Sequence, residues 1–333
     1  MPSPPLVVVG GSAGGLDAAS RLVGVLDAGL DAAVAVVLHQ ASGVGDYLAR
    51  RLGRATALPV ATAEDGERLE PGRIYVAPPD RHLRFADGAV RVAFGPRVNR
   101  ARPSIDVALR SAAAEHGARA VGVVLSGRLD DGAAGLDSLR RAGGTVLVQD
   151  PDDAEHPDMP RNAIDAVDAD RVATAEALGA GLGRLVLALP DGPGWVPDDV
   201  AVEARIDALG TGDIDLTERI GEPVPLSCPD CAGPVWEITA SGPRRYRCHV
   251  GHAFSAGSML ASQSETVEES LWVALRTLEE RARMLDRLAT RGPSGALASS
   301  YRDQAEDARG HAGRIRDLLA ARHVTDRPPA PQD

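Results

Sequence analysis

The sequence predicts an α/β chain: a doubly wound, mostly parallel sheet, followed by a small cysteine-bearing ribbon and an α-helical hairpin. Three observations carry this. Short β-branched runs alternate with helix-period stretches through the first 189 residues, the pattern of consecutive βαβ units. Two knuckles, Cys228-Pro229-Asp230-Cys231 and Cys248-His249-Val250-Gly251-His252, stand sixteen residues apart. Beyond them, two stripes of Leu and Ala recur at alternating spacings of three and four. The division expected is a first domain at 1–189, a linker at 190–222, the ribbon at 223–258, the hairpin at 262–323 and a disordered tail at 324–333.

Taken in order, Leu6-Val7-Val8-Val9 reads as a buried strand, and Leu16 to about Leu26 as the helix after it. Ala33–Leu38 is the second strand, and a helix follows at about Gly45–Leu52. Leu58–Ala61 and Arg73–Pro79 are two further strands. His82–Phe85 and Ala89–Phe94 form a hairpin around Ala86-Asp87-Gly88. Pro103 opens a helix whose apolar face is Ile105, Val107, Ala108 and Ala112. Ala118–Leu125 gives the strongest strand signal, followed by a helix to about Ala142 and a strand at Thr145–Gln149. Pro160 opens a short helical stretch, and Ala173–Leu189 closes the domain as a helix. The stretch 190–222, rich in Asp, Gly and Pro, reads as a linker with one short helix near Val200–Ala208.

Composition narrows the function. Hydrophobic residues make up 44% of the 333 and aromatics only 3%, so the core must rest on Ala, Val and Leu. A net charge of −11 disfavours nonspecific binding to nucleic acid or to anionic membranes. No apolar run reaches membrane-spanning length, and the start lacks the basic region of a signal peptide, so a cytoplasmic protein is expected. Apart from His, every basic side chain is Arg; the absence of Lys excludes lysine-dependent chemistry. Three cysteines within one short segment argue against a disulfide framework.

The candidate chemistry lies at strand ends, where open parallel sheets collect ligands. Gly10-Gly11-Ser12-Ala13-Gly14 fits a G-x-S-x-G elbow that projects a serine between a strand and a helix. Free N–H groups at the start of that helix suit a developing oxyanion. The same turn also suits a phosphate-binding loop, although Ser12 occupies the second-glycine position of a dinucleotide fingerprint and no P-loop Lys is present. The second strand ends in His39, and the strong strand leads to Asp130 and Asp131. A nucleophilic hydroxyl needs a base, and the imidazole needs a carboxylate to hold its tautomer. The order Ser…His…Asp differs from that of α/β-hydrolases, which argues against that fold.

With these residues in place, the first domain resembles the catalytic domain of the chemotaxis protein-glutamate methylesterases, the CheB type. The matching pieces are the GGSAGG turn, the LHQ strand end, YVAPPDRHL, RPSIDVALRSAA, VVLSGRLDDGAAGL and the MPRNAI segment. The resemblance implies a Rossmann-like methylesterase fold with Ser12 as nucleophile, His39 as base and Asp131 as acid, Asp131 being the residue that precedes Gly132 in the family's Asp-Gly pair. It implies hydrolysis of glutamyl methyl esters on methyl-accepting chemoreceptors, releasing methanol, with glutamine deamidation as a second activity and no cofactor for catalysis. The chain departs from the family pattern at Ala13, where Thr is frequent, at Arg128-Leu129, where Met-Gly is usual, and at Ala101, where His is usual. No receiver domain is expected before Leu6, so regulation by phosphorylation in cis is not expected. The alternatives are a catalytically degenerate scaffold and, less favoured, a Rossmann-type nucleotide-binding protein.

Three thiolates and one imidazole supply the four soft or borderline ligands that a structural Zn²⁺ takes. Cys228, Cys231, Cys248 and His252 are the expected set; the three-residue gap lets the chain turn back to His252, and His249 is the alternative. The acidic chain makes this ribbon a poor reader of nucleic acid. In the tail, Leu271, Leu275, Leu278, Ala282, Leu285 and Ala289 form one stripe, and Ala305, Ala308, Ala312, Ile315 and Leu319 the other. They are expected to pair as an antiparallel hairpin, with pairing to a second subunit as the alternative. A ribbon followed by such helices resembles tails of some stand-alone members of the same family, and a signalling partner acting through the tail is the expected substitute for the receiver.

Overall fold

The computed structural model describes residues 3–40, 46–239, 242–292 and 294–325, the side chains of 322–325 excepted. The expected helix start at Gly45 and residues 326–333 of the expected disordered tail lie outside the described residues.

The first elements are β1 (Leu6–Gly11), α1 (Gly15–Gly24), β2 (Ala33–Leu38), α2 (Tyr47–Gly53), β3 (Val60–Thr62) and β4 (Ile74–Val76). The hairpin β5 (His82–Ala86) and β6 (Ala89–Ala93) then leads to α3 (Ile105–His116), β7 (Ala120–Val124), α4 (Ala133–Arg141) and β8 (Thr145–Gln149). The sheet closes through α5 (Asp158–Ala166), β9 (Arg171–Ala173) and α6 (Ala175–Leu187). Seven strands pair in the order β3-β4-β2-β1-β7-β8-β9, and every pairing is parallel. The central strand β1 is buried along its whole length, as a strand covered by helices on both faces must be. Its alternation divides the core: Leu6 and Val8 join Ile105, Leu109 and Leu136 on one face, while Val7 and Val9 join Leu22, Leu52 and Leu182 on the other.

The order of winding reverses at β1, which has β2 on one side and β7 on the other. In open α/β sheets ligands bind at such a switch point, beyond the carboxyl ends of the strands. Ser12 follows β1, His39 follows β2, and Asp131 stands at the end of the loop after β7.

The short helix expected near Val200–Ala208 is present, but the stretch 190–222 around it packs as part of the fold. It holds α7 (Asp198–Leu209) and α8 (Ile214–Glu218), and Val200 joins the larger core. Glu203 is also buried there, because α7 packs its acids against arginines rather than against solvent. Four antiparallel strands, β10 (Gly221–Ser227), β11 (Pro234–Ile238), β12 (Arg245–Cys248) and β13 (Ala253–Ser255), pair in sequence order. By contacts, residues 1–259 form one unit that includes the ribbon, and residues 260–333 a second.

The first turn of α9 (Ala256–Arg291) belongs to the first unit; the rest of α9, from Leu260, and α10 (Ala296–Thr325) build the second. Leu275, Ala312 and Leu319 form its buried seam, flanked by Leu271, Leu278 and Ile315. Arg316 bonds Glu279 across the pair at 2.6 Å, and Arg309 pairs with Asp286. The two stripes therefore face each other within one chain. No helix among the described residues is long and apolar enough to cross a membrane.

Candidate active site

Ser12 is presented by a turn that tolerates no bulk. Gly14 lies in the left-handed region at φ 71°, and a Cβ there would stand 2.6 Å from Ser126 Oγ and 2.9 Å from Glu155 Cβ. The Ser12 N–H donates to Ser126 O at 2.9 Å, and the Gly15 N–H donates to Ser12 O at 2.9 Å, which closes the turn as α1 begins. His39 is tied to the same turn through its backbone, since its N–H donates to Gly11 O at 3.2 Å.

The side chains meet in a line. His39 Nδ1 lies 3.1 Å from Ser12 Oγ, and His39 Nε2 lies 2.8 Å from Asp131 Oδ2. With the ring proton on Nε2, that nitrogen donates to Asp131 and leaves Nδ1 free to accept the Ser12 hydroxyl. Asp130, which residue types alone leave as an equal candidate, turns away: its Oδ1 accepts the Ser255 hydroxyl at 2.7 Å.

Asp131 is held by more than His39. Its carboxylate accepts from Ser104 Oγ at 2.9 Å, Asn99 Nδ2 at 2.9 Å, the Ile105 N–H at 2.7 Å and the Asp106 N–H at 3.3 Å. The two backbone donors belong to the first turn of α3, so Asp131 caps that helix from outside. Asp106 returns the arrangement, its Oδ1 accepting the Gly132 N–H at 2.9 Å and the Gly135 N–H at 2.6 Å at the start of α4. Burial pushes both carboxyls up, but the outcomes differ. For Asp131 the bond from His39, its charge, and the bonds from Asn99 and Ile105 prevail and hold it below the usual carboxylate range. Asp106 is raised, first by burial and then by the negative charge of Asp131. Ser104 and Asp106 lie inside the RPSIDVALRSAA piece, but nothing in it marks them as partners of the acid, and Asn99 lies in none of the matching pieces; all three become legible only once Asp131 has been placed.

Three of the departures, Ala13, Arg128 and Leu129, lie in the loops after β1 and β7. Leu129 sits at φ 62° and is 40% exposed, and its carbonyl accepts Asn162 Nδ2 at 2.8 Å. Arg128 is exposed. Ala13 contributes a carbonyl that accepts the Ser126 hydroxyl at 2.8 Å. None of these side chains is part of the Ser12–His39–Asp131 line.

The family model for CheB methylesterase matches residues 7–182, the span that carries all three side chains. The chain belongs to the CheB methylesterase family. It resembles the protein-glutamate methylesterase/protein-glutamine glutaminase of Yersinia pestis bv. Antiqua (strain Antiqua), with 43% identity over 163 residues, 48% of this chain and 46% of that protein. A protein of the same name from Photorhabdus laumondii subsp. laumondii is 40% identical over 171 residues, 50% of this chain and 49% of its own length. The chain thus spans about half the length of the curated relatives it matches. The Thermotoga maritima CheB methylesterase catalytic domain superposes over 100% of its length and 56% of this chain, with a TM-score of 0.53 and 32% identity.

Outside the CheB methylesterase segment, Cys228, Cys231, Cys248 and His252 come together, with their ligand atoms all within 4.8 Å of one another. Cys231 Sγ and Cys248 Sγ are 3.7 Å apart, and His252 Nδ1 lies 3.5 Å from Cys248 Sγ and 3.8 Å from Cys228 Sγ. A tetrahedral Zn²⁺ with ordinary bond lengths requires edges of about 3.8 Å between sulfurs and about 3.5 Å between sulfur and nitrogen. The donor set fits such an ion. The Cys228 thiol draws Cys248 down to about 3 against burial, with help from His252, which is itself raised by that sulfur. His249 is not in the group; its ring lies against Gly233, where a Cβ would collide with it.

Proposed function

We propose that the chain is a serine esterase that hydrolyses glutamyl methyl esters on methyl-accepting chemoreceptors or similar methylated signalling proteins, in the cytoplasm. One observation carries the reading: the continuous Ser12–His39–Asp131 line, with links of 3.1 and 2.8 Å, inside the CheB methylesterase segment. A nucleotide loop needs no imidazole on its serine, and a bare scaffold needs no carboxylate held by five donors. The use of all three cysteines in one ligand cluster supports a reducing compartment.

In this reading Ser12 Oγ attacks the ester carbonyl carbon while His39 Nδ1 takes the hydroxyl proton. Asp131 holds the Nε2 proton and stabilises the imidazolium. N–H groups at the elbow, ahead of α1, are the donors expected for the tetrahedral oxyanion. Collapse breaks the C–O bond to the methoxy group, which leaves as methanol with the proton from His39. Water, deprotonated by the same nitrogen, then attacks the acyl-enzyme, and the glutamate carboxylate and free Ser12 are released. A glutamine side chain in the same position would lose ammonia in place of methanol, the second activity named for the relatives.

The test is methanol release from a methylated receptor fragment by wild type and by Ser12→Ala. Wild type is expected to release methanol, and the variant to fall by at least about 10⁴-fold. Equal release by both proteins would overturn the reading.

We also propose that the cysteine cluster holds a structural Zn²⁺, with all four positions filled by the protein. Elemental analysis of the purified chain is expected to find one ion per chain in wild type and none in Cys248→Ser. Retention of zinc by that variant would sink the assignment of the ligand. A signalling partner acting through the α9–α10 unit is the regulatory input we favour. Loss of partner-dependent stimulation on deleting residues 260–333, with basal turnover kept, is its expected signature.

A further inference from the structure

The acid of the candidate triad is supported from outside the family segment. Asn99 occupies a tight turn closed by hydrogen bonds between Val98 and Ala101, where Asn99 and Arg100 both have positive φ, 49° and 66°. Asn accepts that backbone more readily than most residues. Its side chain is buried and fully committed. Nδ2 donates to Asp131 Oδ1 at 2.9 Å and to Asp106 Oδ2 at 2.7 Å. Oδ1 accepts the Ser255 N–H at 2.8 Å and the Ser258 hydroxyl at 3.1 Å.

Those two partners belong to the end of β13 and the first turn of α9. The backbone is tied at the same place, since the Asn99 N–H donates to Ala253 O at 2.8 Å and the Ala253 N–H donates to Arg97 O at 3.3 Å. Ala253 directly follows His252 of the metal cluster. The amide can satisfy four partners in only one orientation, because its two donors face two carboxylates and its acceptor faces two donors. A neutral group with two N–H dipoles thus stands beside a pair of like-charged neighbours that would otherwise repel each other in a buried site.

We propose that Asn99 is a positioning residue for the triad, and that β13 with the first turn of α9 is its seat, so that the ribbon holds the catalytic acid in register. This rests on the esterase reading given above. Asn99 touches neither the serine nor the imidazole, and it acts through Asp131.

Three full-length variants test it. Asn99→Ala removes the donors and the acceptor together. Asn99→Asp keeps an acceptor for Ser255 and Ser258 but replaces the donors with a third negative charge. Ser258→Ala removes one bond to the seat and leaves Asn99 itself. For kcat/KM of methanol release, Asn99→Ala is expected to lose about 10- to 100-fold and Asn99→Asp more, whereas Ser258→Ala loses about 2- to 10-fold. The Asn99→Ala/Ser258→Ala double variant is expected to be no worse than Asn99→Ala, because both act through one contact chain.

The acid limb of the pH profile provides the readout that general destabilisation would not move. The groups facing Asp131 are His39 beyond β2, Asp106 on α3, Asp130 beside it and His82 on β5, with Arg110 and Arg245 behind Asp106. Loss of the Asn99 bond moves the acid limb to higher pH, whereas a smaller folded fraction lowers the profile without shifting it. Ring ¹⁵N shifts of His39 read the same link without substrate, reporting whether Nε2 holds the proton shared with Asp131. Wild-type shifts in Asn99→Ala would overturn the positioning role, whatever the turnover. Altered shifts in that variant, in a protein whose methanol release does not depend on Ser12, would leave the positioning role standing and overturn the esterase reading instead.

Discussion

Asp131→Asn is expected to lower methanol release about 10⁴-fold, the scale of losing the triad carboxylate when an amide forces the wrong imidazole tautomer. An Asn at 131 keeps the Ser104, Asn99 and Asp106 donors by placing its oxygen at the Oδ1 position, and its NH₂ then faces both the Ile105 N–H, which loses its acceptor, and His39 Nε2. That nitrogen becomes an acceptor, the ring proton moves to Nδ1, and Ser12 loses its base. The stability of the variant reports the same change with a definite sign. Asp131 is held below its unfolded value, so its contribution to stability is present above that unfolded value and is lost as pH falls through the depressed folded value. Asp106 works the other way. Its folded value is raised by burial and by the charge of Asp131, so stability declines as pH rises from its unfolded value toward the raised one. In Asp131→Asn both slopes shrink, because the depressed carboxylate is gone and its partner loses a like-charged neighbour. Denaturant titrations across the acid range check this together with the rate. A variant of unchanged turnover would show that His39 does not depend on this carboxylate.

The parts of this site that were legible in the sequence are those set by local rules. β1, β2 and β7 are runs of Val, Ala and Leu covered on both faces, and such strands announce themselves by composition. Ser12 and His39 sit one residue beyond strand ends, which topology brings together whatever the intervening chain does. The choice between Asp130 and Asp131 was not a local matter. The two differ in whether they face His39 or Ser255, and Ser255 is 125 positions away from Asp130. Asn99 was silent for the same reason, since all its side-chain partners are set by tertiary structure. The helix α7 was legible in its place, near Val200–Ala208, but not in its packing. Its buried face carries Glu203 and Asp207 beside Val202 and Ile206, so acids occupy positions where an amphipathic pattern would show apolar residues. Periodicity places the helix but does not show that a face so charged is buried, and the stretch around it reads as a linker. β9 is short and largely exposed, and β10 is interrupted by Pro223 and Pro225, so neither alternates cleanly.

Glu203→Gln is expected to destabilise the first unit by about 3–5 kcal/mol at neutral pH. Glu203 bonds Arg110 and Arg247 at 3.2 Å and Arg245 at 3.1 Å; Asp207 bonds Arg247 at 2.9 Å and also pairs with Arg110. All five side chains are at most 6% exposed, and they join α3, α7 and β12. Three buried guanidinium groups share two carboxylates, so removing one leaves three positive charges facing a single negative one. Burial alone would raise Glu203, yet Arg110, Arg245 and Arg247 prevail and bring it down to about 2. Such a depression from its ordinary value corresponds to about 3 kcal/mol of stability above the unfolded-state pKa. That contribution is lost progressively as pH falls from the unfolded value toward 2. The gap between wild type and Glu203→Gln should therefore be widest near neutrality and close on acidification. Thermal melts over that range provide the measurement. A gap that stayed constant with pH would mean that Glu203 acts by packing and not by charge. Because Arg245 and Arg247 precede Cys248 on β12, a Glu203 that does act by charge ties the ribbon, and with it the seat of Asn99, to the helix that packs behind the catalytic acid.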